Sequence, residues 1–361
     1  MQNFQFRKSL DWTIIICTIL LCGVGAAIIG SVTPNLVLAQ IVFYAVGFGL
    51  FFVFANLDYR IFASLAPLAY LVALVLLGVT LLVGLETRGS VRWIEVSSFR
   101  LQFSELLKPF FATILGSFLL IPPKSLWSFF KVIILALVPT FLVFKQPDLG
   151  SALVYLSGFL AMIFIAGVDL RYLFFSTFAG LVTLPVAWKF LADYQRARLT
   201  SFLSPGFDPL GANYNAIQAV IAVGSGMFFG RGLGRGTQSH LLFLPEHHTD
   251  FVFASVAEEL GFIGAAFVLA LYFVLIWRIF SLSLNARDPM AKITGVGIGT
   301  FLLVQVFINV GMNLGIFPVT GITLPLISYG GSSVLATMIG LGIVENIACL
   351  SKQADSNIIG V

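Results

Sequence analysis

Between positions 246 and 250 stand Glu246, His247, His248 and Asp250, in the run FLPEHHTDFVFASVAEELGFIG. A carboxylate beside a cationic, glycine-rich stretch has the make-up of a general base acting on a phosphate-activated donor. The cationic stretch lies just upstream, in GSGMFFGRGLGRGTQ, with glycines at 224, 226, 230, 232, 234 and 236 and with Arg231 and Arg235 between them. Glycines so spaced let backbone N–H groups close on an anion, so the stretch is a candidate cradle for phosphate or pyrophosphate. It has neither the lysine of a phosphate loop nor the strand-turn-helix setting of a dinucleotide fold, and a loop that simply packs close to helices would have the same composition. Two adjacent histidines cannot easily face one ion, which argues against zinc, and no metal ligands are assigned. Asp250 could also be only the cap of the helix that follows. Arg196 and Arg198, earlier in the same connection, are further candidate anion binders.

Charge recurs at three other apolar boundaries. In QFSELLKPFF, Glu105 and Lys108 are three apart and share a helix face, either as a neutralised helix-end pair or as the lining of a cavity. In QPDLGSAL, Pro147 ends one helix and Asp148 is placed to cap the next. Glu258 and Glu259 fall inside an apolar run and need partners there. The segment NVGMNLGIFPVTGITLPLISYGGSSV cannot be one helix. Backbone broken at membrane depth survives only where protein buries it or where it lines a cavity, so this segment is expected to wall the same site.

The elements that hold these residues follow from composition. The chain has 361 residues, 59% of them hydrophobic and 10% charged, against about 25% charged in soluble proteins. It is an all-α polytopic membrane protein in this reading. A net charge of +4, with the basic residues scattered among apolar runs, gives no nucleic-acid signature. Cys17, Cys22 and Cys349 lie in or beside apolar runs without ligand spacing, as packing residues would. The first apolar run has no clear cleavage site and is expected to remain as a span.

At about 20 residues per crossing, ten spans are expected, near 12–31, 36–55, 62–84, 105–121, 129–145, 149–167, 173–190, 257–279, 293–311 and 327–349. Residues 191–256 then form one long connection within a single membrane domain. Its GFDPLGANYN stretch has Gly206, Pro209 and Gly211 as breakers, and its IQAVIAVG stretch is too short to span, so the connection is expected to be partly re-entrant. Basic residues divide ten against ten between the two sides if the N-terminus, with Arg7 and Lys8, is inside. Seven of the second ten (Arg88, Arg92, Arg100, Arg196, Arg198, Arg231 and Arg235) fall in the two long connections, 85–104 and 191–256. Charges held there for function do not set orientation, so both termini are expected in the cytoplasm and both long connections outside.

Four segments together carry a resemblance: QFSELLK, QPDLGSAL, the block from GTQ through FLPEHHTDFVFA to EELGFIG, and NVGMNLGIFPVTGITLPLISYGGSS. They closely resemble the SEDS family of shape, elongation, division and sporulation proteins, over nearly the whole chain and nearer its rod-shape branch than its division branch. Met227 and Phe228 depart from it where a further glycine is usual. The resemblance implies a ten-span, inverting peptidoglycan glycosyltransferase that polymerises lipid II at the outer face of the bacterial cytoplasmic membrane. It implies a class B penicillin-binding protein and the elongation machinery as partners among membrane lipids, and no organic cofactor, with Mg or Mn as the candidate divalent cation. It places the family's essential aspartate on Asp250, its acidic and basic pair on Glu105 and Lys108, and its PDxG aspartate on Asp148. Arg196, Arg198, Arg231 and Arg235 are then the candidates to hold pyrophosphate. A lipid II flippase is the alternative of a different class, expected to place its breaks and charges near the midplane in matching halves.

Overall fold

A computed structural model describes residues 10–87, 90–96, 99–191, 193–203, 213–241 and 243–359. Arg7, Lys8 and Arg88, and the expected breakers Gly206, Pro209 and Gly211, lie outside the described residues. The elements are α1 (Trp12–Val32), α2 (Pro34–Asn56), α3 (Arg60–Ser64), α4 (Ala66–Val83), β1 (Leu85–Thr87), β2 (Ser90–Val96), β3 (Phe99–Leu101), α5 (Phe103–Leu106), α6 (Lys108–Phe118), α7 (Leu126–Lys145), α8 (Leu149–Ile165), α9 (Leu170–Phe190), α10 (Asp193–Leu203), α11 (Tyr214–Ser225), α12 (Thr237–His240), α13 (Val252–Leu284), α14 (Pro289–Asn313) and α15 (Gly331–Ile359). Seven of these (α1, α2, α4, α7, α13, α14 and α15) are long and apolar enough to cross a membrane, and α8 is a shorter apolar helix. The chain is a multi-pass membrane protein of helical architecture.

Three features differ from the expectation. The span expected at 105–121 is two pieces, because Pro109 has no N–H to give the Glu105 carbonyl and the chain re-forms as α6 from Lys108. The connection after α4 is a small antiparallel sheet in the order β1-β2-β3, so the chain is not purely α. Its signal was the alternation in SVRWIEV, and Glu95 opposite Arg100 adds an opposite-charge pair across β2 and β3. The helix expected from 257 begins at Val252 and leaves helical geometry at Gly261, whose φ is 69°.

Two helices form the interior. Most of the membrane-length stretch of α14 and of α15 is buried, 78% and 83%, against 22% for α2 and α4, which face outward. At one end Arg278 of α13 clamps Asp11 ahead of α1 with bonds of 2.9 and 2.6 Å.

The irregular segment 314–330 between α14 and α15 satisfies Leu324 O from within, and neighbouring helices donate to others of its carbonyls. Gln40 of α2 bonds Ser328 O at 3.2 Å, and Tyr44 of the same helix bonds Leu326 O at 2.6 Å. Tyr272 of α13 bonds Pro325 O, while Gln305 and Asn309 of α14 bond Thr323 O and Ile322 O at 3.2 and 2.7 Å.

The second break is filled by main chain. At Gly261 the carbonyls of Glu258 and Glu259 lose their helical donors and accept instead from Arg231 N and Gly232 N, each at 3.0 Å. In return Phe262 N and Ile263 N donate to Met227 O and Phe228 O, at 2.8 and 3.2 Å. The glycines are what allow this approach. A Cβ on Gly226 would lie 1.9 Å from Ala257 O, and one on Gly230 would lie 2.1 Å from Glu259 O.

Two outcomes are expected from these contacts. Tyr44→Phe leaves the Leu326 carbonyl buried without its donor, and the loss in unfolding free energy, read by denaturation in detergent, should be about 1–3 kcal/mol. Gly226→Ala should lift the 226–236 segment from α13, seen as faster proteolysis there than in the wild type.

Candidate active site

One face of α14 carries three amides a turn apart, Gln305, Asn309 and Asn313, all buried. Asn309 Nδ2 donates to Asp250 O at 2.9 Å as well as to Ile322 O, and Asn313 Nδ2 donates to Asp250 O at 3.2 Å. Asn313 Oδ1 accepts from Ala254 N at 3.0 Å, which fixes the first turn of α13 to the same point. The turn before α13 is gripped from its other side, by Ser328 Oγ on Thr249 O at 2.5 Å and by Tyr329 N on His248 O at 2.8 Å. Asp250 is thus set in place through its main chain. It is not a helix cap, since the N-cap of α13 is Phe251 and no side chain bonds there.

The Asp250 carboxylate turns toward Gly321, whose φ of 75° suits glycine. The position a Cβ would take on Gly321 is 3.5 Å from Asp250 Oδ2, 3.6 Å from Arg92 Nη1 and 3.8 Å from Arg198 Nη1. Three charged groups, from β2, from α10 and from the turn before α13, therefore converge on one missing side chain. Arg198, on α10, donates to Val319 O at 3.2 Å. Arg92, on β2, donates from Nη2 to Pro147 O at 2.7 Å, and its Nη1 lies 3.9 Å from Asp148 Oδ1. The two arginines line one cleft with Pro147, Gln195, Pro318 and Thr320.

Asp148 caps α8 as its spacing predicted, accepting from Ser151 N at 3.0 Å, and it also accepts from Gln102 Nε2 at 3.0 Å. Glu105 and Lys108 form a buried pair at 2.6 Å, both about 5% exposed. Gln305 bridges that pair, accepting from Lys108 Nζ at 2.9 Å and donating to Glu105 Oε2 at 3.4 Å, so the pair is joined to the amide row of α14.

The other sequence candidates are placed elsewhere. Arg196 caps the end of α9, bonding Trp188 O at 3.3 Å and Lys189 O at 2.9 Å. Arg231 turns to Ser225 O at the end of α11, and Arg235 is exposed. Their segment docks at Glu258 and Glu259, about 12 Å along α13 from Asp250 at 1.5 Å per residue. Residues of α13 occupy several of its N–H groups. Gly234 N bonds Glu259 Oε1 at 3.1 Å, and Gln238 N and Ser239 N bond the Glu258 carboxylate at 2.8 and 3.2 Å. These contacts also supply the partners that the two glutamates require. His247 is held by Thr33 and Leu244 O, and the His248 ring lies against Tyr329, so the histidines serve packing. Among the described residues, no three of His, Cys, Asp and Glu come together as a metal site.

Arg92, Gln305, Asn309 and Asn313 were not selected from sequence. Arg92 had a signal, as one of three arginines in the long connection 85–104, and the amides had theirs in a spacing of four along an apolar helix.

Comparison with known proteins identifies the family. Over 364 residues the chain is 37% identical to the peptidoglycan glycosyltransferase MrdB of Escherichia coli K12, covering 99% of this chain and 98% of that one. It is 36% identical to the stage V sporulation protein E of Bacillus subtilis, covering 96% and 99%. Among solved structures it matches a chain from a peptidoglycan synthase complex that coordinates polymerization and crosslinking, with a TM-score of 0.82 and 33% identity over 96% of this chain and 99% of that one. It also matches the rod shape determining protein RodA of Thermus thermophilus, with a TM-score of 0.73 and 30% identity over 95% and 98%. The family of cell cycle proteins that unites FtsW, RodA and SpoVE matches residues 8–353, and with those motifs and that fold the chain belongs to this family, the SEDS family its sequence resembles.

Proposed function

We propose that Asp250 is the general base of an inverting glycosyl transfer, with Arg92, Arg198 and Lys108 as the cationic groups around it. The chain is a peptidoglycan glycosyltransferase that polymerises lipid II. In lipid II the sugar is α-linked to pyrophosphate and in the polymer it is β-1,4-linked, so the reaction inverts the anomeric carbon. The acceptor's 4-hydroxyl oxygen forms the new bond to that carbon and gives its proton to Asp250. The bond to pyrophosphate breaks, and its electron pair leaves with the lipid pyrophosphate. One carboxylate serves this step, and the observation that carries the reading is the convergence of Asp250, Arg92 and Arg198 on Gly321. Fixed donors cost no reorganisation as charge develops, and Arg92 is fixed by its bond to Pro147 O.

Among the described residues no three of His, Cys, Asp and Glu gather into a protein-built cation site. No step is routed through one, and Mg or Mn would act with the substrate's own phosphates. Ten spans with both termini in the cytoplasm put Asp250 on the outer face of the bacterial cytoplasmic membrane. The 191–256 connection is partly re-entrant in this reading, supported by its docking two turns down α13 and by exposed Met227, Phe228 and Phe229 beside exposed Phe262 and Ile263. The partners proposed are a class B penicillin-binding protein, which crosslinks the product, and the elongation machinery.

Asp250→Asn should lower glycan polymerisation from purified lipid II by at least about a hundredfold, with partner binding retained. Near-normal polymer from that variant would remove the base, and lipid II translocation in liposomes without any polymer from the wild type would favour the flippase. Arg92→Gln should reduce kcat/KM for lipid II by about tenfold or more, whereas Arg231→Gln should stay within about twofold. Steady-state kinetics of the two variants side by side checks the placement.

A further inference from the structure

Asp11 stands at the N-cap position of α1, yet its side chain caps nothing there. It is turned to α13, where Arg278 donates to Asp11 Oδ2 from Nε and Nη2, and its own main-chain N–H donates to Glu345 Oε1 of α15 at 2.7 Å. Arg278 lies well past the break at Gly261, about 25 Å further along α13 at 1.5 Å per residue. The cluster is therefore at the end of the bundle away from Asp250. At the other end of α1, Ser31 Oγ donates to Glu259 Oε1 of α13 at 2.6 Å. One helix is thus fastened to α13 at both ends, and through Asp11 to α15 as well.

Two carboxyl groups meet one guanidinium here, and Asp11 takes both of its bonds. Glu345 is wholly buried, and Asp11 is 4% exposed. Glu345 Oε1 has the Asp11 N–H and, at 3.9 Å, the Cys349 thiol. Among the described residues, Glu345 Oε2 and Asp11 Oδ1 have no hydrogen-bond partner. The charged groups that face Glu345 are Asp11, Arg278 and Lys352, the last exposed two turns along α15. The helix α2, packed along α15, has no charged side chain, and Asp288 ahead of α14 is taken by Tyr59 and Arg60. A buried carboxylate with one oxygen unbonded is a costly charge. A carboxylic acid keeps an acceptor and gains an O–H donor. An acid at Glu345 satisfies both oxygens at once, with Oε1 accepting from Asp11 N and Oε2–H donating to Asp11 Oδ1. Both complements belong to one residue.

We propose that Glu345 is a buried proton-binding site: in the folded protein it is a neutral acid at neutral pH, and its proton, donated to Asp11 Oδ1, ties α15 to the clamp between α1 and α13. This does not depend on Asp250 as the base. Loss of the proton sets two like charges side by side in the interior and removes the donor between them, so α15 is released from the clamp. In the unfolded chain Glu345 meets water and ionises above about pH 4.3. Folding then takes up one proton. The stability it contributes is full below that pH and declines as pH rises, until the folded acid itself ionises.

The test uses the full-length protein in detergent and Glu345→Gln, whose amide has an acceptor and a donor where the acid has them. Infrared spectra at neutral pH, wild type minus variant, should show the carbonyl stretch of a protonated carboxylic acid, moving to lower frequency in D2O. Carboxylate bands in its place would overturn the proposal. In thermal unfolding the two proteins should melt together near about pH 5, and the wild type should then fall behind by about 3 °C per pH unit up to about pH 8. Parallel curves, or a variant that melts below the wild type at neutral pH, would overturn it. Glu345→Ala leaves Asp11 N and Oδ1 both unpartnered and should melt more than about 5 °C below the Gln variant; equal melting would mean that the donor is not needed. A wild-type Tm that rises with Na⁺ or K⁺ at constant ionic strength, unlike that of the Gln variant, would put a cation between the two oxygens and overturn the proton.

Discussion

Main chain that leaves helical geometry inside a membrane must find hydrogen bonds from protein, since lipid offers none, and this protein is arranged around two such departures. The first, 314–330, is held by side chains that reach in from α2, α13 and α14. The second, at Gly261, is held by exchange of main-chain bonds with the glycine-rich segment. One of the donors that satisfy the first break also holds the main chain of Asp250. Asn309 bonds both Ile322 O and Asp250 O, so stability and positioning rest on one amide.

The site is built from connections, while the helices supply its register. Asp250 comes from the turn before α13, Arg92 from the sheet, Arg198 from α10, Gly321 from the broken segment and Asp148 from the turn between α7 and α8. None of these is near another in sequence. What brings them together is α14, whose polar row at 305, 309 and 313 touches the buried ion pair, the broken segment and the start of α13 in turn. The buried amides are costly in an apolar helix and persist because each is bonded on both sides.

Much of this was legible in the sequence, and the limits have physical causes. Apolar length marks the long helices, and the QPDLG turn with Asp148 as a cap follows from local chemistry alone. The broken segment was legible too, because prolines and glycines at membrane depth have few uses. The glycine-rich stretch was harder, because glycine spacing reports only that something approaches closely. Here the approaching group is the main chain of α13, and several of the N–H groups in the stretch are bonded to it or to the Glu259 carboxylate. Arg231 and Arg235 go with that segment, and of the near-neighbours Arg196 and Arg198 only Arg198 lines the cleft. Arg92 depends on a strand register and a turn 55 residues away, which no local pattern encodes.

The joint at Gly261 also governs how the chain can vary in length. Four main-chain hydrogen bonds join the stretches 227–232 and 258–263, two in each direction, and each stretch completes bonds of the other. Adding or removing one residue in either would shift every pair in the joint and leave carbonyls of a membrane helix without donors. Insertions and deletions in this part of the protein are therefore confined to the flanks of the joint, and a graft of the glycine-rich segment into another scaffold must bring the first third of α13 with it.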